Sequence, residues 1–167
     1  MSQRLNYFEQ SPELTNKLFE FGQAVKKSSL GNTLIDLVNI RASQLNGCAF
    51  CLDMHCKEAK IHGEQELRNY HIPIWRESAL FSETERAALE WTEAVTKLTE
   101  HGIPDELYDR VRAQLSETQI SELTFAIAVI NAWNRLNISF RTVPGSFDEQ
   151  LGLTKAGLSY SPRSAKA

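Results

Sequence analysis

Residues 116–140, SETQISELTFAIAVINAWNRLNISF, decide the fold class. Ser116 and Gln119 have the spacing of a capping box, in which the serine hydroxyl and the glutamine side chain each take the other's backbone N–H. From there to Phe140 the chain has neither Gly nor Pro and no period-2 alternation, so it reads as one long helix. Its circumference is apolar over more than a surface helix of a small monomer would show, which predicts a homo-oligomer with this helix at or beneath a subunit contact. Asn131, Asn134 and Asn137 recur at i, i+3 and i+6 within it and call for buried partners, an interhelical or intersubunit hydrogen-bond seam.

Helical punctuation continues on the N-terminal side. Ser82 and Glu85 form another capping box, opening a helix expected to reach about Glu100 with Gly102 as its stop. Pro104 with Asp105 and Glu106 starts a shorter one. After Pro12, the residues Leu14, Leu18, Phe21 and Val25 make an apolar stripe on one helical face. Gly31-Asn32 interrupts it, Ile35, Val38, Ala42 and Leu45 form the next stripe, and Asn46-Gly47 marks a turn. The cysteine-bearing segment then runs without Gly or Pro to Gly63. Trp75, Trp91 and Trp133 are expected in the core or an interface, and His62, His71 and His101, beside turns, at the surface. The expectation is one all-α domain over residues 1–167, with a core of about 10–145 and a small, polar tail that frays after about Thr154.

Composition excludes several functions. A 42% hydrophobic and 23% charged chain with a formal charge of −3 is globular and carries no electrostatic footprint for nucleic acid. No apolar run approaches the roughly 18 residues of a membrane helix. MSQRLNYFEQ lacks the apolar region of a secretory signal, so a reducing cytoplasm is expected. There, clustered cysteines point to catalysis or metal rather than to permanent disulfides, and three cannot pair off.

All three cysteines fall within NGCAFCLDMHCKEA, residues 46–59. On a helix starting just after Gly47, Cys48, Cys51 and His55 fall within a wedge of about 60°, and Cys56 is rotated away. A helix N-terminus and a nearby imidazole both favour a thiolate, and C-x-x-C lets a sulfenic acid on one sulfur be captured by the other. Zinc would need four ligands where this face supplies three. Covalent haem would need a histidine where Leu52 stands. Buried structural cysteines are the remaining non-catalytic alternative, and Cys56 reads as a small, half-buried hydrophobe. The helix start favours Cys48 as the reactive thiol; the i, i+4 relation to His55 favours Cys51.

RASQLNGCAFCLDMH resembles the core of the AhpD-like alkylhydroperoxidase family, within the carboxymuconolactone decarboxylase superfamily, and INAWNRL is similar to a late helix of its single-domain members. The resemblance implies an all-helical bundle assembled as a trimer or hexamer, and hydroperoxide reduction without metal, haem or other cofactor. It implies Cys51 as the peroxidatic thiol, Cys48 as the resolving one and His55 as the proton relay. The family's upstream glutamate falls on Asp36, one methylene shorter. A dithiol or a thioredoxin-like protein is the implied electron donor. Two other readings belong to different classes: a non-catalytic, redox-sensing helical oligomer, and a decarboxylase of the wider superfamily, whose chemistry does not need the cysteine pair.

Overall fold

The computed structural model describes residues 2–160. Along them run α1 (Tyr7–Gln10), α2 (Pro12–Lys26), α3 (Asn32–Asn46), α4 (Ala49–Ile61), α5 (Glu66–His71), α6 (Glu83–Thr96), α7 (Asp105–Arg112) and α8 (Glu117–Phe140). Short 3₁₀ turns occupy Ile72–Ile74 and Leu153–Ala156. The described residues contain no strand, only an isolated bridge between Thr99 and Gly102. None of their helices is long and apolar enough to cross a membrane.

α3 is the centre of the bundle. It is buried continuously from Leu34 to Ile40, as a helix enclosed on all sides must be. One core joins α3 to α6, α7 and α8 through Leu34, Val38, Ala88, Val111, Leu123 and Ile127. A second joins α3 to α4, α6 and the 3₁₀ turn through Leu37, Ile40, Ala59, Ile72, Trp75 and Leu89. A third, smaller core gathers Ala42, Cys48, Phe50, Cys51 and Ile130 where α3, α4 and α8 meet. The cysteine pair is therefore walled by three helices.

Both capping boxes form. Ser116 Oγ accepts from the Gln119 N–H at 3.2 Å and Gln119 Oε1 accepts from the Ser116 N–H at 3.0 Å; the same reciprocal pair links Ser82 and Glu85. α6 ends at Thr96, short of the expected Glu100. The Thr99 hydroxyl instead donates to the Gly102 carbonyl and accepts from the His101 N–H, a local turn that competes with the helix.

The asparagine seam is interhelical and lies within one chain. Asn46 Nδ2 donates to Asn131 Oδ1 and Asn134 Oδ1, both at 2.8 Å, tying the end of α3 to α8. Asn134 Nδ2 donates to Ser43 Oγ at 3.1 Å. Asn137 bonds instead to Cys51 Sγ and the Tyr7 hydroxyl.

Three expectations need correction. The stripe along α2 is inward only in part: Val25 is buried and Leu18 partly buried, but Leu14 is 73% and Phe21 39% exposed. The inward side runs instead through Thr15 and Val25, with Gly22 set against Val129. Packing also continues past Thr154 as far as Ala156, whereas residues 157–160 are exposed. Leu153 and Ala156 are buried, and buried Lys57 on α4 pairs at 2.7 Å with Asp53 and with Asp148, which ties the segment before the 3₁₀ turn to α4. The end of the expected frayed tail, residues 161–167, lies outside the described residues. The ordered core also begins earlier than residue 10, because Tyr7 is buried.

Candidate active site

The site starts at a glycine. Gly47 closes α3 at φ +72°, a left-handed conformation that side chains with a Cβ resist. The Cys48 N–H can then donate back to the Ser43 carbonyl at 3.0 Å, satisfying an orphan carbonyl of α3. Cys48 thereby ends one helix and caps the next, its Sγ accepting from the Cys51 N–H at 3.3 Å. The two sulfurs lie 2.7 Å apart, and both cysteines are free thiols, 2% and 0% exposed.

That geometry divides the charge between them. The hydrogen bond from Cys51 holds the Cys48 thiol below its ordinary range, against burial and with help from the Cys51 backbone N–H. For Cys51 the same bond, then burial, then the neighbouring Cys48 charge push the thiol strongly up. Of the two thiols Cys48 is therefore the more acidic and Cys51 the one that holds its proton more tightly. Cys56 joins the second core, where burial and Asp53 raise its thiol to about 11.

His55, 5% exposed, sits one turn beyond Cys51. Its Nδ1 is 2.7 Å from Glu58 Oε2, and Lys26 on α2 reaches Glu58 Oε1 at 2.6 Å. Burial works against the Glu58 carboxylate, yet its bonds to His55 and Lys26 hold it down to about 2. An ionised Glu58 can only accept, so Nδ1 must carry a hydrogen. In neutral His55 the lone pair then belongs to Nε2, which is buried and has no partner among the described residues.

Asp36 stands elsewhere in this network. Its Oδ2 is 2.6 Å from Nδ1 of His62, which caps the far end of α4. Burial raises the Asp36 carboxyl, opposed by that bond. The structure therefore brings Cys48, Cys51 and His55 together as expected, while the carboxylate bonded to His55 is Glu58. Glu58 was open to reading as the i+3 neighbour of His55 on a helix.

Above Cys51 opens a pocket of about 400 Å³. Ile35, Phe50, Met54, Ile130, Trp133 and Phe147 supply much of its apolar wall, and Cys51, His55, Glu58 and Asn137 its polar side. Cys48 and Cys56 do not line it. Trp133 is thus a pocket wall, while Trp75 and Trp91 are buried and donate to Glu93 and Thr124.

Fold and site together define a helical dithiol protein. The chain belongs to the carboxymuconolactone decarboxylase family, whose sequence model matches residues 12–94. The uncharacterized protein YdfG of Bacillus subtilis is 43% identical over 139 residues, 83% of this chain and 95% of that protein. The uncharacterized protein YnjA of Escherichia coli is 34% identical over 113 residues, covering 67% of this chain and 61% of that one. A solved structure from Agrobacterium tumefaciens, described as a protein of unknown function and putative antioxidant defence protein AhpD, is 41% identical. It superposes with a TM-score of 0.83 over 86% of this chain and 98% of its own. The debrominase Bmp8, at 19% identity and a TM-score of 0.75 over 89% of this chain and 80% of its own, shares the fold. The chain is an AhpD-like member of its superfamily, and a peroxidase-related or decarboxylase-superfamily role follows from that.

Proposed function

We propose that the chain is a thiol-dependent peroxidase that reduces hydroperoxides through Cys51 and Cys48, with His55 as the proton relay and no cofactor. The observation that carries this reading is the placement of the sulfurs. Of the three cysteines only Cys51 lines the pocket, beside a histidine whose Nε2 lacks a partner among the described residues, and Cys48 waits 2.7 Å behind it.

The Cys51 proton passes to the Nε2 lone pair of His55, and the thiolate attacks the terminal peroxide oxygen. An S–O bond forms and the O–O bond breaks. The sulfur is oxidised by two electrons, and the departing alkoxide takes the proton from His55 and leaves as an alcohol. The Cys48 thiolate then attacks the Cys51 sulfenic acid, and the S–S bond forms as hydroxide leaves and is protonated to water. A dithiol or thioredoxin-like donor, itself oxidised to a disulfide, restores both thiols. Asp36 with His62 forms an outer carboxylate–imidazole pair that exchanges protons with solvent, since His62 is partly exposed. A reducing cytoplasm suits this cycle.

Steady-state assay with excess hydroperoxide and a dithiol tests the reading. Continued turnover, with a Cys48–Cys51 disulfide mapped by mass spectrometry and Cys56 still alkylatable, is expected. One stoichiometric oxidation without turnover would make the protein a redox sensor, and Cys56 in the main disulfide would remove the mechanism.

Assembly belongs to the same proposal. Leu14 and Phe21 on α2 and Phe125 and Ile138 on α8 are all exposed, with the Phe21 and Phe125 rings 5.8 Å apart across the two helices. A homo-oligomer, a trimer or hexamer, covers this face. Light scattering at micromolar concentration should give a multiple of the 18.9 kDa chain mass, and Phe125→Glu should lower that multiple; a monomer would overturn the assignment.

A further inference from the structure

Asn137 has every hydrogen-bonding group of its side chain committed. It lies on α8, 3% exposed, and its Nδ2 is 2.9 Å from the Trp133 carbonyl and 3.4 Å from Cys51 Sγ. Its Oδ1 is 3.0 Å from the hydroxyl of Tyr7, which is buried on α1. An asparagine amide can in principle be turned over, exchanging its oxygen and nitrogen. Here the Trp133 carbonyl, which only accepts, requires the nitrogen on its side. The oxygen must then face Tyr7, so the phenol donates. One amide hydrogen serves Trp133, and the other is left directed at the sulfur.

We propose that Asn137 is a catalytic residue that stabilises negative charge on Cys51, and that Tyr7 is the positioning residue that prevents its amide from turning. This rests on the peroxidase reading for its purpose, though not for its geometry. Cys48 is the more acidic of the two thiols, so while Cys51 keeps its proton the donor from Asn137 is worth little to it. Its value appears when Cys51 gives up its proton to attack, and again when a reductant displaces Cys51 from the disulfide as a thiolate. A donor fixed in advance toward the atom where charge develops lowers those barriers without reorganisation. Tyr7 is suited to the part, because burial and the nearby thiols keep its phenol protonated.

The two residues come from opposite ends of the chain, and neither falls within the stretch 12–94 matched by the family's sequence model. They are joined there by packing. α1 is capped by the Asn6 side chain, and the Arg4 N–H donates to the Phe140 carbonyl at the end of α8. Tyr7 also lies within 5.8 Å of the Phe140 ring, centroid to centroid. The N-terminal residues thus complete the thiol site.

The test reads Cys51 by itself. In the Cys48→Ser, Cys56→Ser protein, the alkylation rate of Cys51 by iodoacetamide is followed against pH by mass spectrometry. The other titratable groups lining the pocket are His55 and Glu58 from α4, Tyr7 from α1 and Lys26 from α2; α3, α8 and residues 147–151 line it with none. Adding Asn137→Leu, close in shape and without a donor, should move the midpoint up by about one pH unit, the worth of one hydrogen bond to a charged group. Adding Tyr7→Phe, which removes one oxygen, should move it up by less, and Tyr7→Phe with Asn137→Leu no further than Asn137→Leu alone. Midpoints unmoved by both single substitutions, or shifts that simply add, would overturn the proposal. Because no peroxide is used, an inert wild-type enzyme with shifted midpoints would discard the peroxidase reading and keep this one; normal turnover with unmoved midpoints would do the reverse.

Discussion

Cys51→Ser is expected to reduce hydroperoxide consumption to the uncatalysed background, whereas Cys48→Ser is expected to complete one oxidation and then stop. The asymmetry comes from position rather than from acidity. Judged only by acidity, Cys48 would be the nucleophile: it caps α4, accepts the Cys51 N–H and carries the lowered thiol. Yet Cys48 does not line the pocket, and Cys51 does. A thiolate shielded by its neighbour cannot approach a peroxide in line, while the shielded position suits a thiol that must attack only the adjacent sulfur. Nucleophilicity also falls as thiol pKa falls, so strong activation of Cys48 would bring diminishing returns. In Cys48→Ser the Cys51 sulfenic acid has no resolving partner and should be trapped by a sulfenic-acid probe at a stoichiometry near one. Labelling of Cys48 in Cys51→Ser, with no labelling of Cys51 in the reverse variant, would exchange the roles.

The all-helical fold was legible because its signals are local. Capping boxes at Ser82 and Ser116, the Asn46-Gly47 turn and the stop at Gly63 all act within a few residues, and each occurs where expected. The Cys48, Cys51 and His55 grouping was legible for the same reason, since it lies within two turns of one helix. What could not be read depends on contacts distant in sequence. Periodicity marks Leu14 and Phe21 as apolar but cannot say that Gly22, which packs against Val129, lies on the buried side of α2 instead. Lys57 looks like an ordinary solvated lysine until Asp148 folds back onto it. Tyr7 and Asn137 meet across 130 positions, and no spacing rule connects them. Asp36 is the instructive middle case. Its candidacy came from the resemblance, but its partner depends on which histidine it meets, His55 within α4 or His62 at its end, and it meets His62.

Substitution can separate the roles of Asp36 and Glu58. His55→Gln is expected to slow hydroperoxide reduction by about 10²–10⁴-fold, the usual contribution of a positioned acid–base group. Glu58→Gln should reproduce part of that loss, because a glutamine presents either an oxygen or an N–H to Nδ1 and no longer compels Nε2 to carry the lone pair. Asp36→Asn should cost less than Glu58→Gln, since Asp36 acts on the outer His62. Stability gives an independent readout for Glu58. Its folded-state value of about 2 lies below the roughly 4.3 of an unfolded glutamate, so its contribution is present above pH ~4.3 and is lost as pH falls toward 2. The side chain is 16% exposed, so most of that difference survives screening, on the order of 3 kcal/mol. Denaturant unfolding from pH 6 to pH 2.5 should show wild type losing stability more steeply than Glu58→Gln. Parallel curves, or an Asp36→Asn rate below that of Glu58→Gln, would return the carboxylate role to Asp36.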